Sequence, residues 1–130
     1  FKLKTTKSVV EYYCGVDFSK VSIRKAKKFN FEKSKFIVAD LHYYTPDQNY
    51  DIIVFNEAFY YINHKLKSEV LERILSKLND NGILIVSIFK EGEGCWAFFN
   101  HERLEKLEFY NIESSKGNRY WKLGVYRKKS

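Results

Sequence analysis

Four short apolar runs recur along the chain, and polar or amphipathic segments separate them. They cover residues 12–18, 35–39, 52–55 and 83–89. Their length and their β-branched or aromatic content predict β-strands. The third and fourth runs are apolar without alternation, which is typical of strands buried on both faces. The longest such stretch, YDIIVFNEAFYYI at residues 50–62, breaks into the polar pair Asn56-Glu57 where its strand should end.

Two segments between these runs have the spacing of amphipathic helices. Ser19 is a good N-cap residue, and an apolar stripe follows it at Val21, Ile23, Ala26 and Phe29. Residues 65–78 give the clearest helical pattern in the chain, with Leu66, Val70 and Ile74 along the predicted buried stripe. The Asp-Asn-Gly sequence at residues 80–82 predicts a turn that ends this helix.

The C-terminal third predicts a loop, a short helix and a hairpin. Glycines mark the loop at residues 92–94, residues 101–107 suit a short helix, and residues 110–115 and 119–127 read as extended strands. Gly117-Asn118 between the two extended stretches is a hairpin signal. The order of elements predicts an α/β fold whose first four strands are parallel neighbours in one sheet, with residues 119–127 antiparallel at or near an edge.

Composition indicates one packed domain over residues 1–130, in which residues 1–11 form an arm without a clear element. The chain is 45% hydrophobic and 18% aromatic, which is ample for one core. No apolar run approaches the roughly 18 residues of a membrane span, so we expect a cytoplasmic protein without a membrane partner. Cys14 and Cys95 lack metal-binding or disulfide spacing, so we expect reduced thiols and no metal site.

The net charge of +7 raises the question of an anionic partner. Basic residues are scattered over several short clusters, of which those at 24–28 and 33–35 fall on predicted solvated faces. A nucleic-acid footprint would gather them into one patch, so solvation is the favoured interpretation and RNA binding is a lesser alternative.

Polar residues follow three successive apolar strands. Asp17 ends the first, Asp40 follows the second, and Asn56-Glu57 ends the third. Ligands of open α/β sheets lie outside the carboxyl ends of the strands, so these residues are the first candidates for a binding site. An acid before a helix can also serve only as a cap or a favourable charge at the helix N-terminus.

With these residues in place, the sequence resembles the class I S-adenosylmethionine-dependent methyltransferases. The matching segments are GVDFS at 15–19, VADL at 38–41, YDIIVFNEAFYYI at 50–62 and LERILSKLNDNGILIVSIF at 71–89. The resemblance implies a Rossmann-like three-layer sandwich with a mostly parallel sheet and a C-terminal antiparallel hairpin. It also implies methyl transfer from S-adenosylmethionine, which becomes S-adenosylhomocysteine, to an acceptor that the sequence does not identify.

The resemblance assigns roles position by position. Asp17 matches the acid that binds the ribose hydroxyls and Phe18 the residue against the adenine, while Asp40 matches the acid at the adenine amino group, with the Leu41 backbone beside it. Asn56 and Glu57 match positions at the methionine end. No catalytic residue is assigned; His64, Glu57 and also His42 are candidate bases, and a lone histidine in such a loop is more often only a solvated polar residue.

One part of the family pattern is missing. A glycine-rich loop and the first strand should precede the ribose-binding acid by about 20 residues, and no glycine precedes Gly15. The sequence therefore predicts either a fragment or incomplete record of a methyltransferase or a chain that has lost this unit. A non-catalytic methyltransferase-like module for partner binding is the alternative, and a nicotinamide oxidoreductase is a weaker one. The sequence does not indicate the oligomeric state.

Overall fold

The structure is a computed structural model that describes residues 12–29 and 32–130. Two compact units divide the chain, Phe1–Tyr44 and Thr45–Ser130. The predicted arm at residues 1–11 lies outside the described residues. A single domain over residues 1–130 stays a prediction.

The N-terminal unit contains a strand, a helix and a second strand. They are β1 (Tyr13–Asp17), α1 (Lys20–Lys27) and β2 (Ser34–Val38), and the two strands are parallel. The Ser19 hydroxyl accepts a hydrogen bond of 3.2 Å from the Ser22 N–H, so the predicted N-cap is confirmed. The apolar stripe of α1 is narrower than predicted, because Ile23 is buried while Val21 and Phe29 are exposed.

The C-terminal unit is a four-stranded sheet with one α-helix. Its strands are β3 (Tyr50–Asn56), β4 (Leu78–Phe89), β5 (Leu104–Glu113) and β6 (Tyr120–Lys128), in the order β3-β4-β6-β5. β3 is parallel to β4, and β6 is antiparallel to both β4 and β5. Gly117 has a φ of 80° at the tip of the β5–β6 hairpin, where the sequence predicts a turn. The predicted α/β class with parallel strands and a C-terminal antiparallel hairpin is confirmed.

The described strands form two sheets, whereas the sequence predicts one. Among the described strands, β1 pairs only with β2, and β3 is an edge of the four-stranded sheet rather than a central strand. Ile52 and Val54 share one face of β3 and are 59% and 49% exposed. The prediction that this run is buried on both faces is therefore wrong, since an unbroken apolar run does not reveal whether its second face is covered.

Helix α2 (Lys67–Leu75) is shorter than the predicted helix over residues 65–78. A separate 3₁₀ turn, His64–Leu66, precedes it, and Leu78 already belongs to β4. The Asp-Asn-Gly turn at residues 80–82 lies inside the strand, with Asn81 at a φ of 65°. The buried stripe is confirmed at Val70 and Ile74.

The predicted helix at residues 101–107 is wrong. β5 begins at Leu104 and runs to Glu113, with its register set by pairing to β6. The residues of this segment tolerate a helix locally, but the ladder of hydrogen bonds to β6 overrides that weak preference.

Aromatic side chains from several elements form the core of the C-terminal unit. Phe59 lies in the 3₁₀ turn Phe59–Tyr61 and is 0% exposed. Its ring centroid is 5.4 Å from that of Phe55, 5.9 Å from that of Phe98 and 4.8 Å from that of Phe99. The Phe99 ring in turn stacks on Tyr126 of β6, at 5.5 Å. This cluster joins the residues after β3 and β4 to the hairpin.

Because Tyr126 is buried, the free energy of unfolding varies with pH in the alkaline range. Burial raises the pKa of Tyr126 to about 12 from its ordinary value of 10.0, because the phenolate would be desolvated. The folded state therefore holds the proton more tightly than the unfolded chain does. The stability that the protonated Tyr126 contributes is complete below pH 10 and is lost as the pH rises towards 12.

We expect the Tyr126→Phe variant to gain stability relative to the parent by about 1 to 3 kcal/mol between about pH 9 and about pH 12. Urea denaturation of both proteins across this range measures the difference. Parallel curves at all pH values would show that the Tyr126 phenol ionises as easily as an exposed one.

Candidate functional site

Asp17 ends β1 and stands just before α1. Its Oδ1 accepts a hydrogen bond of 2.9 Å from the Ser19 N–H, which fixes the turn into the helix. Its Oδ2 receives no hydrogen bond from the described part of the chain. Asp17 thus has the local role of a turn residue and still offers a carboxylate oxygen to a ligand.

An exposed aromatic ring follows this carboxylate. Phe18 is 76% exposed, so its ring has an apolar face that the described residues leave largely uncovered. A hydroxyl-binding acid beside a free aromatic face suits a nucleoside, since the acid can accept from a ribose diol and the ring can pack on a base.

Asp40 follows the neighbouring strand. The Ala39 N–H donates to the Asp17 carbonyl over 3.0 Å, which extends the β1–β2 ladder past the strand ends. Asp17 and Asp40 therefore leave adjacent parallel strands at the same end of the sheet. This juxtaposition is the one that the sequence predicts.

The Asp40 carboxylate is held by the loop that follows it. Its Oδ1 accepts from the His42 backbone N–H over 3.0 Å and lies 2.6 Å from His42 Nδ1. These two hydrogen bonds, the backbone one first, lower the pKa of Asp40 from its ordinary value, so the carboxylate stays ionised at neutral pH. The Leu41 N–H, between these two residues, makes no hydrogen bond to the described residues and is a free donor beside the acid.

Asn56 and Glu57 close β3 in the other unit. Asn56 is the last residue of the strand and is exposed. Glu57 has a φ of 55°, and its N–H donates to the Ser87 carbonyl over 3.0 Å. Its carboxylate accepts from the Ser87 hydroxyl at 2.9 Å and from the Phe89 N–H at 3.1 Å. Glu57 therefore clamps the end of β3 to β4.

His64 lies in the 3₁₀ turn before α2, on the exposed surface. Its ring contacts Phe98 edge-on, with 5.2 Å between the centroids. Phe98, with Trp96 and Phe99, belongs to the packed aromatic cluster. The assignment of His64 as a base stays a prediction.

A half-open cavity of about 480 Å³ lies in the C-terminal unit, at the ends of β3 and β4. We call it the acidic cavity, because three glutamates contribute to its wall. Its lining residues are Glu57, Tyr60, Tyr61, Phe89, Lys90, Glu91, Gly92, Glu93 and Tyr120. Glu57 is thus a wall of this cavity as well as the clamp of β3.

The family follows from the sequence as a whole. A sequence model of the family described as "Methyltransferase domain" matches residues 2–125, nearly the full chain. The chain belongs to the class I S-adenosylmethionine-dependent methyltransferase family. S-adenosylmethionine, the predicted cofactor, is the methyl donor of this family. No curated protein matches the chain in sequence.

Solved structures of methyltransferases share the fold. N-methyltransferase NodS from Bradyrhizobium japonicum WM9 in complex with S-adenosyl-l-homocysteine has a TM-score of 0.82 at 14% identity, over 92% of this chain and 67% of that one. A 1,6-didemethyltoxoflavin-N1-methyltransferase from Burkholderia thailandensis gives 0.75 at 12%, over 90% and 61%. A TehB-like methyltransferase from Corynebacterium glutamicum gives 0.69 at 19%, over 89% and 67%. These likenesses establish a Rossmann-like methyltransferase fold.

Four lining residues of the acidic cavity were not predicted from the sequence: Lys90, Glu91, Glu93 and Tyr120. The first three lie in the Lys-Glu-Gly-Glu stretch directly after β4, and the end of a parallel strand was a usable signal for them. Tyr120 comes from β6, more than 25 residues later, and only the β4–β6 pairing brings it to the cavity. Nothing in its local sequence marks it.

Proposed function

We propose that this methyltransferase-family chain binds S-adenosylmethionine and transfers its methyl group to a small-molecule acceptor. The observation that carries the proposal is the pairing of Asp17 and Asp40 at the ends of adjacent parallel strands, with the exposed Phe18 ring next to Asp17. These groups fit an adenosine by their chemistry: a free carboxylate oxygen, an aromatic face, a second ionised carboxylate and a free backbone donor at Leu41.

In this proposal each residue contributes binding rather than bond making. Asp17 accepts from the ribose hydroxyls, Phe18 packs on the adenine, and Asp40 with the Leu41 N–H meets the adenine edge. The family resemblance assigns Asn56 and Glu57 to the methionine end of the cofactor. The cofactor supplies a methyl group already activated as a sulfonium. The protein's task is therefore mainly to orient the acceptor and exclude water.

Two of the three candidate bases, Glu57 and His64, differ in what surrounds them. Both carboxylate oxygens of Glu57 already accept hydrogen bonds from β4, which favours a positioning role for this residue. His64 is exposed and has no hydrogen-bonded partner among the described residues that would orient its ring. We therefore propose that neither acts as a strong base, and that any proton the acceptor must lose passes to solvent.

The acceptor itself is not indicated by the structural neighbours. Two of those above are named as N-methyltransferases, and another similar structure is named as an rRNA methylase from Streptococcus thermophilus. We favour a small molecule over a nucleic acid, because the chain's basic residues form no single patch in the sequence.

No helix within residues 12–29 and 32–130 is long and apolar enough to cross a bilayer. A cytoplasmic location stays a prediction, and so does a non-catalytic module as the alternative function.

Calorimetric titration of the full chain with S-adenosylhomocysteine tests the proposal. Saturable binding with one site per chain is expected. A folded chain that binds neither S-adenosylhomocysteine nor S-adenosylmethionine at millimolar concentration would favour the non-catalytic module, in which the fold serves partner binding.

A further inference from the structure

The acidic cavity has the size and the walls of a small-molecule site. Its volume of about 480 Å³ lies within the range of ligand pockets, which is roughly 300 to 1,000 Å³. Four aromatic side chains line it: Tyr60, Tyr61, Phe89 and Tyr120. The Tyr60 and Tyr61 rings stand at 89° to each other with centroids 5.5 Å apart, so they meet edge to face at a corner, where Tyr61 is 75% exposed. An exposed aromatic face attracts an organic cation.

The charge of the cavity is opposite to that of the chain. The chain carries +7, whereas the cavity is lined by three glutamates and one lysine. Glu91 is neutralised in part by its ion pair with Lys122, at 2.6 Å. Glu57 accepts hydrogen bonds only from the neutral Ser87 hydroxyl and Phe89 N–H among the described groups, so it forms no ion pair with them, and Lys90 is the cation of the lining.

Glu93 adds a further negative charge to the cavity. The negative charge of Glu93 and its hydrogen bond from the Tyr60 hydroxyl raise the pKa of that phenol, which therefore stays a neutral donor at pH 7. Glu93 has no ion pair within the described residues. Its carboxylate thus presents a full negative charge beside the Tyr60–Tyr61 corner.

The chain itself already places an ammonium group on one ring of the cavity. Lys90 Nζ lies 5.3 Å from the centroid of the Phe89 ring. This distance is within the range for attraction between a cation and an aromatic face. The Tyr60–Tyr61 corner and the Glu93 carboxylate offer further aromatic and acidic surface in the same cavity.

From these observations we propose that the acidic cavity binds a small protonated amine attached to an aromatic or apolar body, and that this amine is the methyl acceptor. The second half of the proposal rests on the proposed function. The ammonium is held by Glu93 and Glu57, and the apolar body lies against the tyrosine rings. A neutral or anionic molecule of the same shape gains nothing from the two carboxylates and is disfavoured if it is negatively charged.

The transfer step balances with no further reactant. The bound ammonium first loses a proton to water, to which the cavity is open. The nitrogen lone pair then forms the N–C bond while the S–C bond breaks, so that the sulfonium becomes a neutral thioether. The positive charge passes from sulfur to nitrogen, so the product forms directly as the N-methylated ammonium and needs no further proton.

Three probes of similar size and different charge test the cavity. Benzylamine is cationic at pH 7, benzyl alcohol is neutral and benzoate is anionic. In saturation-transfer NMR with the full chain, we expect benzylamine to bind at about millimolar affinity, benzyl alcohol at least about threefold more weakly, and benzoate not at all. Equal binding of all three, or preference for benzoate, would overturn the proposal.

Matched substitutions locate the binding. Glu93→Gln removes the charge at nearly constant shape and should weaken benzylamine binding by about threefold to tenfold while leaving benzyl alcohol unchanged. Glu69→Gln makes the same change on the exposed surface of α2, away from the cavity, and should leave both probes unchanged. Equal effects of the two variants would mean that only the overall charge of the protein matters.

The two titrations distinguish a failure of the amine proposal from a failure of the proposed function. If S-adenosylhomocysteine binds but benzylamine does not, the amine proposal is wrong and the proposed function stands. If benzylamine binds in a Glu93-dependent way but no cofactor binds, the cavity is an organic-cation site and methyl transfer is wrong.

Discussion

The Asp17→Asn variant should bind S-adenosylhomocysteine at least about tenfold more weakly than the parent chain, a loss of about 1.4 kcal/mol. In the proposed complex, the Asp17 carboxylate accepts two ribose hydroxyls, and each charge-assisted hydrogen bond contributes about 1.5 to 3 kcal/mol. Asparagine keeps an acceptor oxygen for the Ser19 N–H but removes the charge and one acceptor. Calorimetric titration measures the change, and Asp17→Ala should lose at least as much.

A matched control separates ligand binding from helix capping. Ser19→Ala removes the hydroxyl that caps α1 and should cost about 0.5 to 2 kcal/mol of stability. It should leave cofactor affinity within about twofold, because Ser19 is not among the proposed ligand contacts. Unchanged affinity in Asp17→Asn would refute the ribose assignment and leave Asp17 as a turn residue only.

The Phe59→Ala variant should lose about 3 to 5 kcal/mol of unfolding free energy, the usual range for a buried phenylalanine. Phe59 is fully buried, and its ring contacts three other phenylalanine rings that would surround the resulting cavity. A domain of this size has a total stability of only about 5 to 15 kcal/mol, so the variant would be close to unfolding at 37 °C. Urea denaturation followed by near-ultraviolet circular dichroism measures the loss.

Truncation of an exposed phenylalanine provides the comparison. Phe18→Ala should change stability by less than about 0.5 kcal/mol, because the Phe18 ring is largely in water already. The same variant should weaken cofactor binding if the adenine packs on that ring. A loss below about 1 kcal/mol for Phe59→Ala would show that the aromatic cluster collapses to fill the space.

The local pattern of apolar and polar residues was sufficient to predict the strands and the helix that carry the proposed cofactor-binding residues. The Ser19 cap, the parallel pairing of β1 with β2 and the position of Asp40 after β2 all follow from short apolar runs and the residues that end them. These features depend on neighbours within about 25 residues, so the sequence contains their cause directly. The roles of Asp17, Phe18 and Asp40 in binding remain predictions, since geometry makes them possible without testing them.

Features set by distant pairing were not predictable in the same way. β5 replaced a predicted helix because β6 pairs with it, and β3 proved to be an edge strand because no described strand pairs with its second side. The acidic cavity combines residues from 57 to 120, and its charge depends on which glutamates acquire a cationic partner. The glutamates can be read from the sequence, but the ion pair between Lys122 and Glu91 cannot.

The two hydrogen bonds from β4 to Glu57 restrict which residues can occupy position 57. Its left-handed backbone favours glycine or asparagine, but glycine has no side chain and asparagine is too short to replace the two bonds to β4. Glutamine reaches far enough to accept from the Phe89 N–H while its NH₂ donates to the Ser87 hydroxyl. Glutamate and glutamine alone keep both bonds, so position 57 should vary less in relatives than its half-buried setting would suggest, whether or not it touches a ligand.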